Sequence, residues 1–279
     1  MGGDTHRRRV ERAFTAQAAA FEDPRYNRVF TSEAAWVFER LPRGRDDLVL
    51  DVAAGTGHSA RQLASSVRTV VAVDATAAML ARGQARAREE GHANIVFMSG
   101  DAAALPFLDA SFDIAVCRFA LHHLEDPSVA LAEMRRCLRP GGRLGVADLV
   151  ADEDPDAARR QNELERWRDP SHVRFLARGR LRALVADAGF ADPDLEVRAV
   201  QRPLAPWLEQ TRTPPEAQAR IRERLTGELG GGPGTGFAPS LADGELCFRQ
   251  TFASCIATRP PDPVSRSGGS VDARSPDAT

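Results

Sequence analysis

The chain has 279 residues, enough for one large domain or one domain with a cap. An apolar fraction of 43% and a charged fraction of 27% are those of a soluble globular protein. A net charge of −2 gives no electrostatic case for a nucleic-acid or acidic-membrane partner. No run of about 20 apolar residues predicts a membrane span, and "MGGDTHRRRVER" lacks a signal-peptide core, so the cytoplasm is the expected compartment. The cysteines at 117, 137, 247 and 255 show no C-x-x-C spacing, and no metal site is expected.

Residues 1–45 read as helical, with apolar positions Phe14, Ala18, Phe21, Val29, Trp36, Val37 and Leu41. From about 46 onward, short β-branched runs alternate with helical stretches. The spacing predicts strands at 48–52, 69–74, 95–99, 112–118 and 144–150, with helices between them. This alternation argues for a parallel sheet covered by helices on both faces. Pro140-Gly141-Gly142 predicts a helix stop and a turn into the fifth strand. Two helical insertions are expected, near 151–178 and 203–245, separated by an amphipathic helix ending at Gly189 and a strand near 195–200. "GELCFRQTFASCIAT" reads as the last strand, and 259–279 has the composition of a disordered tail.

The stretch Gly55-Thr56-Gly57-His58-Ser59-Ala60 follows an apolar strand and fits G-x-G-x-x-G/A, a fingerprint of dinucleotide binding. Asp74, ending the second strand, is placed to accept hydrogen bonds from both hydroxyls of a ribose. Those features suit a nicotinamide dinucleotide and S-adenosylmethionine alike. Asp51 separates the two, because a carboxylate beside the glycine turn repels a pyrophosphate but attracts an ammonium or sulfonium. Asp101, after the third strand, adds an acceptor suited to an adenine amino group. A bare strand-to-helix turn with a capping Asp would explain the glycines, but not three aspartates at successive strand ends.

The set "VLDVAAGTG", "VVAVDATAAML", "GDAAALPFLDASFDIAVCRFALHHLEDP" and "LRPGGRLGVADL" resembles the class I S-adenosylmethionine-dependent methyltransferases. It is closest to the small-molecule branch typified by the ubiquinone/menaquinone-biosynthesis enzymes. The resemblance covers about residues 45–150. It implies an α/β, Rossmann-like seven-stranded sheet with an antiparallel last strand, and a helical lid. By position it implies that Asp51, Ala53, Gly55 and Gly57 line the methionine part of the cofactor and that Asp74 holds the ribose. Ala75 and Met79 would pack on the adenine, Asp101 and Ala102 would read its edge, and the backbone at Cys117 and Arg118 would face the amino group. Gln17 and Phe21 would close over the cofactor from the N-terminal segment. One departure stands out: the family commonly has Gly-Cys or Gly-Ser where this chain has Ala53-Ala54, which is tolerated if φ at 53 is negative.

Methyl transfer draws much of its rate from alignment, and an oxygen or carbon acceptor can also need a base. His122 and His123, just after the fourth strand, and His172 in the first insertion are the candidates. His58 is expected to face solvent or cap a helix. Trp167, Phe175, Trp207, Phe237 and Phe248 could wall an apolar acceptor pocket under the lid. "CRFALHH" stands where amino-methylating DNA enzymes carry an N/D-P-P-Y/F/W segment, which again disfavours a nucleic-acid acceptor. The expected reaction is methyl transfer to oxygen or carbon of a small metabolite, in specialised metabolism. The alternative is an enzyme of this fold that binds the cofactor but catalyses a cyclisation or rearrangement. Nothing in the residues sets the oligomeric state.

Overall fold

A computed structural model describes residues 2–28 and 35–262. Val29 and positions 263–279 of the expected tail lie outside the described residues. Five parallel strands form first: β1 (Leu48–Val52), β2 (Thr69–Asp74), β3 (Ile95–Ser99), β4 (Phe112–Arg118) and β5 (Leu138–Ala151). The strand β9 (Glu245–Thr258) runs antiparallel between β5 and β7 (Ala191–Pro203). The order is β3-β2-β1-β4-β5-β9-β7. Seven strands are expected and nine are present among the described residues, because two short ribbons add to this path: β6 (Leu176–Ala177) on β5 and β8 (Ser240–Ala242) on β9. A three-residue hairpin arm and a two-residue bridge carry too little apolar pattern to be read beforehand.

Period-two alternation along each strand feeds two cores. Leu50, Val52, Ala115, Cys117, Leu144 and Val146 face one side, under α5 (Pro127–Cys137) and α7 (Arg178–Asp187). Val49, Ile114, Val116, Ala147 and Leu149 face the other, against Trp36, Phe38 and α3 (His58–Ala64). The N-terminal region is not one continuous helix. It comprises α1 (Gly2–Gln17), α2 (Pro24–Arg28) and 3-10 turns at Ala20–Glu22 and Ala35–Phe38.

The insertions form a third cluster of their own. Here α6 (Pro155–Arg168), α8 (Leu204–Gln210) and α9 (Pro215–Leu229) enclose Trp207, Phe237 and Phe248, whose ring centroids lie 4.6–5.6 Å apart. The expectation that these aromatics wall an acceptor pocket is therefore corrected: they are fully buried against one another. Phe175 is buried in the second core, and Trp167 packs beside the satellite cluster. An amphipathic insertion needs an apolar core to fold, and these rings supply it. The helix α6 starts on Asp154, whose side chain accepts from the Ala157 N–H at 2.7 Å, and Pro155 sits at its first turn. It stops at Asp169 because Pro170 disfavours helical backbone before it.

Arg259, where the tail was expected to begin, is still tied to the fold. Its N–H donates to Gly142 at 2.8 Å, and its guanidinium donates to the Leu138 carbonyl at 2.5 Å. All four cysteines are buried free thiols. Among the described residues no helix is long and apolar enough to cross a membrane.

Close approach of backbones fixes the glycine turn. In α4 (Ala77–Glu89), a Cβ on Gly83 would lie 2.6 Å from the Thr56 carbonyl oxygen and 2.7 Å from the Phe97 ring. Helix propensity favours Gly83→Ala by about 1 kcal/mol, whereas overpacking against backbone costs roughly 1–3 kcal/mol. Gly83→Ala is expected to lower the melting temperature in a thermal scan, the reverse of the propensity rule.

Candidate active site

Because β1 pairs with β2 on one side and β4 on the other, the chain connections diverge between β1 and β4, and a crevice opens beyond their carboxyl ends. A cavity of about 640 Å³ lies there. The cavity is lined by Asp51, Ala53, Gly55, Asp74, Ala75, Met79, Asp101, Ala102 and Arg118 from the sheet ends and the turns that follow. Gln17 and Phe21 line it from the N-terminal segment, and His122 and His123 from the turn after β4.

At one end, Asp74 is held as an acceptor. Its Oδ2 accepts from Gly55 N–H at 2.8 Å and its Oδ1 from Thr76 N–H at 2.7 Å. Burial raises its pKa, and these two N–H groups oppose the rise. Asp51 is 1% exposed, and its Oδ2 accepts from Ala60 N–H at 3.0 Å. Burial pushes Asp51 up to about 7, with the Arg118 guanidinium pulling the other way. Burial likewise brings Arg118 down to about 10, opposed by Asp51. A buried carboxyl and a half-buried guanidinium thus line the same β1–β4 crevice. Asp101 is more exposed; its Oδ1 accepts from Ala103 N–H at 2.9 Å, and Oδ2 lies 3.7 Å from Arg7 of α1.

Ala53 departs from expectation. Its φ is +53°, not negative, so a residue with a Cβ occupies the left-handed region that favours glycine. The strain is roughly 1 kcal/mol. His58 neither faces open solvent nor caps α3, the two expected places. Instead it lines the cavity, its ring sits 3.4 Å from the Phe21 carbonyl and 3.0 Å from Arg61, and burial beside Arg118 and Arg61 pushes its pKa down to about 3.

Three of the expected residues do not line the cavity. Gly57 precedes α3, with its Cα pressed toward the Phe97 ring. The Cys117 side chain points into the first core, on the opposite pleat from Val116. His172 lies behind His122, donating from Nε2 to Asn162 Oδ1 at 2.8 Å, and burial lowers its pKa.

The other end is polar. His122 Nδ1 is 2.5 Å from Asp148 Oδ1, and the His122 N–H donates to Asp148 Oδ2 at 3.0 Å. Burial opposes charging of His122, but Asp148, Glu165 and Asp169 together hold its pKa above the ordinary imidazole value. His123 Nδ1 meets Ser171 Oγ at 3.0 Å, and Ser171 donates to Asp169 Oδ1 at 2.5 Å. Burial and His122 push His123 down to about 3, so it stays neutral. Asp148, Glu165, Arg168, Asp169 and Gln250 escaped sequence reasoning. The one available signal was Asp148, a carboxylate inside the apolar run "LGVADLVA". Among the described residues no group of His, Cys, Asp and Glu is arranged to hold a metal ion.

Residues 50–146 match the family described as "Methyltransferase domain". Over 177 residues the chain is 36% identical to the uncharacterised methyltransferase YcgJ of Bacillus subtilis, covering 63% of this chain and 70% of that one. The chain belongs to the S-adenosylmethionine-dependent methyltransferases. A candidate methyltransferase of Bacillus halodurans C-125 superposes with a TM-score of 0.76 at 28% identity, over 82% of this chain and 99% of that one. A demethylmenaquinone methyltransferase of Renibacterium salmoninarum is 47% identical over 101 residues, 36% of this chain and 40% of that one.

The cofactor of this methyltransferase is S-adenosylmethionine. The residues present fit it: Thr56 Oγ1 is a buried hydroxyl without a partner at the glycine turn, Asp74 retains lone pairs beyond its two backbone donors, and the buried Asp51 with the half-buried Arg118 match a zwitterion. Asp51 gives a pH-dependent test. Its folded pKa lies above its unfolded value, so its ionisation destabilises the fold progressively between about pH 4 and 7 and fully above that. Asp51→Asn is expected to melt a few degrees above the parent at pH 8 and alongside it only below about pH 4, while binding S-adenosylhomocysteine more weakly by calorimetry. Ala53→Gly is expected to stabilise the ligand-free enzyme by about 1 kcal/mol in urea denaturation.

Proposed function

We propose that the enzyme transfers a methyl group to an oxygen or carbon atom of a small metabolite, with His122 as the base that removes the acceptor's proton. The 2.5 Å contact between Nδ1 of His122, which lines the cavity, and Oδ1 of the buried Asp148 behind it carries this reading. Asp148 fixes the ring's orientation and tautomer and stabilises the imidazolium, which leaves Nε2 as the nitrogen that accepts a proton. His123 remains neutral and serves as wall, and His172 supports the loop through Asn162.

When bound, S-adenosylmethionine supplies an electrophilic methyl group. In this reading Asp51 attracts the cofactor's ammonium and Arg118 its carboxylate, while Asp74 accepts from the ribose hydroxyls. Ala75 and Met79 pack on the adenine, and Asp101 with Ala102 reads its edge. Gln17 and Phe21 cover the cofactor from the N-terminal segment, and the insertions supply the acceptor's side of the cavity. The extended insertions support a place in specialised metabolism. Four free thiols suit a reducing cytoplasm.

Incubation with CD3-labelled S-adenosylmethionine and a metabolite extract, followed by mass spectrometry, tests the reaction. A product carrying the heavy methyl is expected; an enzyme-dependent isomer without label would point to rearrangement instead. His122→Ala is expected to lower kcat by roughly 10²–10⁴-fold with the affinity for S-adenosylhomocysteine unchanged. Because the neutral imidazole is the active form and Asp148 raises its pKa, kcat/KM should rise with pH along a limb above the ordinary histidine value. Asp148→Asn should move that limb to lower pH and reduce the plateau rate.

A further inference from the structure

The polar end of the cavity holds one group whose bonding is incomplete. Glu165, in the last turn of α6, is 3% exposed and lines the cavity. Its Oε1 accepts from Arg168 at 2.5 Å, but its Oε2 is buried with no hydrogen-bond partner. A carboxylate oxygen left bare in a low-dielectric setting costs more than an ordinary lost hydrogen bond, so such an atom points to a missing donor. Burial raises the pKa of Glu165, with Arg168 opposing, as this deficit requires.

Rotation cannot easily relieve it, because Arg168 is itself locked. Its Nε donates to the Trp207 carbonyl at 3.0 Å, its other terminal nitrogen to Gln210 Oε1 at 3.1 Å, and its guanidinium lies 4.5 Å from the Trp207 ring centroid. The satellite core therefore holds Arg168, and Arg168 holds Glu165. His122 stands in the same wall, near enough for the two charges to influence each other.

We propose that Glu165 binds a hydroxyl group of the acceptor other than the atom that is methylated, so that the substrate class is a neutral diol or polyol. This rests on the methyl-transfer reading above, with a hydroxyl oxygen as the methylated atom. A hydroxyl is favoured over an ammonium because Arg168 already neutralises Glu165 at 2.5 Å, and an added cation would meet the guanidinium. A neutral donor completes the carboxylate without that repulsion.

The test is calorimetry on the full chain saturated with S-adenosylhomocysteine, using phenol, catechol, resorcinol, hydroquinone and 3-hydroxybenzylamine as probes. At least one dihydroxybenzene is expected to bind tenfold or more tightly than phenol and more tightly than the amine. In Glu165→Gln, which keeps the shape, and Glu165→Ala that preference should shrink to threefold or less, while S-adenosylhomocysteine binds as in the parent. Equal binding of phenol and every diol, binding of none, or a preference that persists in both variants would overturn the proposal. Tightest binding of the amine would replace the hydroxyl with a cation and overturn it as well. Failure of S-adenosylhomocysteine to bind the parent would instead count against the cofactor site.

Discussion

Every part of the site depends on the divergence of chain connections on either side of β1. With β2 and β4 as its two neighbours, β1 ends at the one place in the parallel sheet where no crossover helix covers the strand tips. Asp51, Ala53 and Arg118 meet there because they end or follow adjacent strands, and Asp74 joins them from β2. The remaining elements hold this geometry. Gly83 lets α4 approach the Thr56 carbonyl, and that approach sets the height of the glycine turn.

The cavity and the layer behind it hold a set of opposed polar pairs, most of them buried. Asp51 stands against Arg118, Asp148 against His122, Glu165 against Arg168, and Asp169 against the Ser171–His123 pair. Each of these groups is desolvated at a cost, and each is held by a partner or a backbone N–H. The first pair lies at the β1–β4 crevice and the others cluster toward the insertions. Such opposed pairs keep titratable groups in defined states without a metal.

The sheet was largely legible in the sequence because buried parallel strands are short β-branched runs closed by glycine turns. β1 through β4 fall where those runs predict them. The aspartates that line the cavity were legible for the same reason: a polar residue ending an apolar strand has few structural explanations. The polar end near the insertions was not. Glu165, Arg168 and Asp169 lie in "NELERWRD", which by composition is a solvated helix face, and only packing against Trp207 turns that face inward. Conversely, the aromatics expected around the acceptor were hydrophobic enough to core the insertions themselves. The sign of φ at Ala53 was beyond sequence reasoning too, since Ala favours negative values and only the turn's closure imposes the opposite.

The cysteines give this architecture a way of being timed. Cys117, Cys137 and Cys255 belong to the first core, whereas Cys247 lies on β9 next to Phe248, at the edge of the satellite cluster. A buried thiol reacts only when its surroundings open, and separate cores open at separate rates. Alkylation at Cys247 therefore clocks loosening of the insertions that present Glu165 and Arg168 together with the end of β9 on which they pack. Alkylation of the other three clocks the loss of the sheet itself.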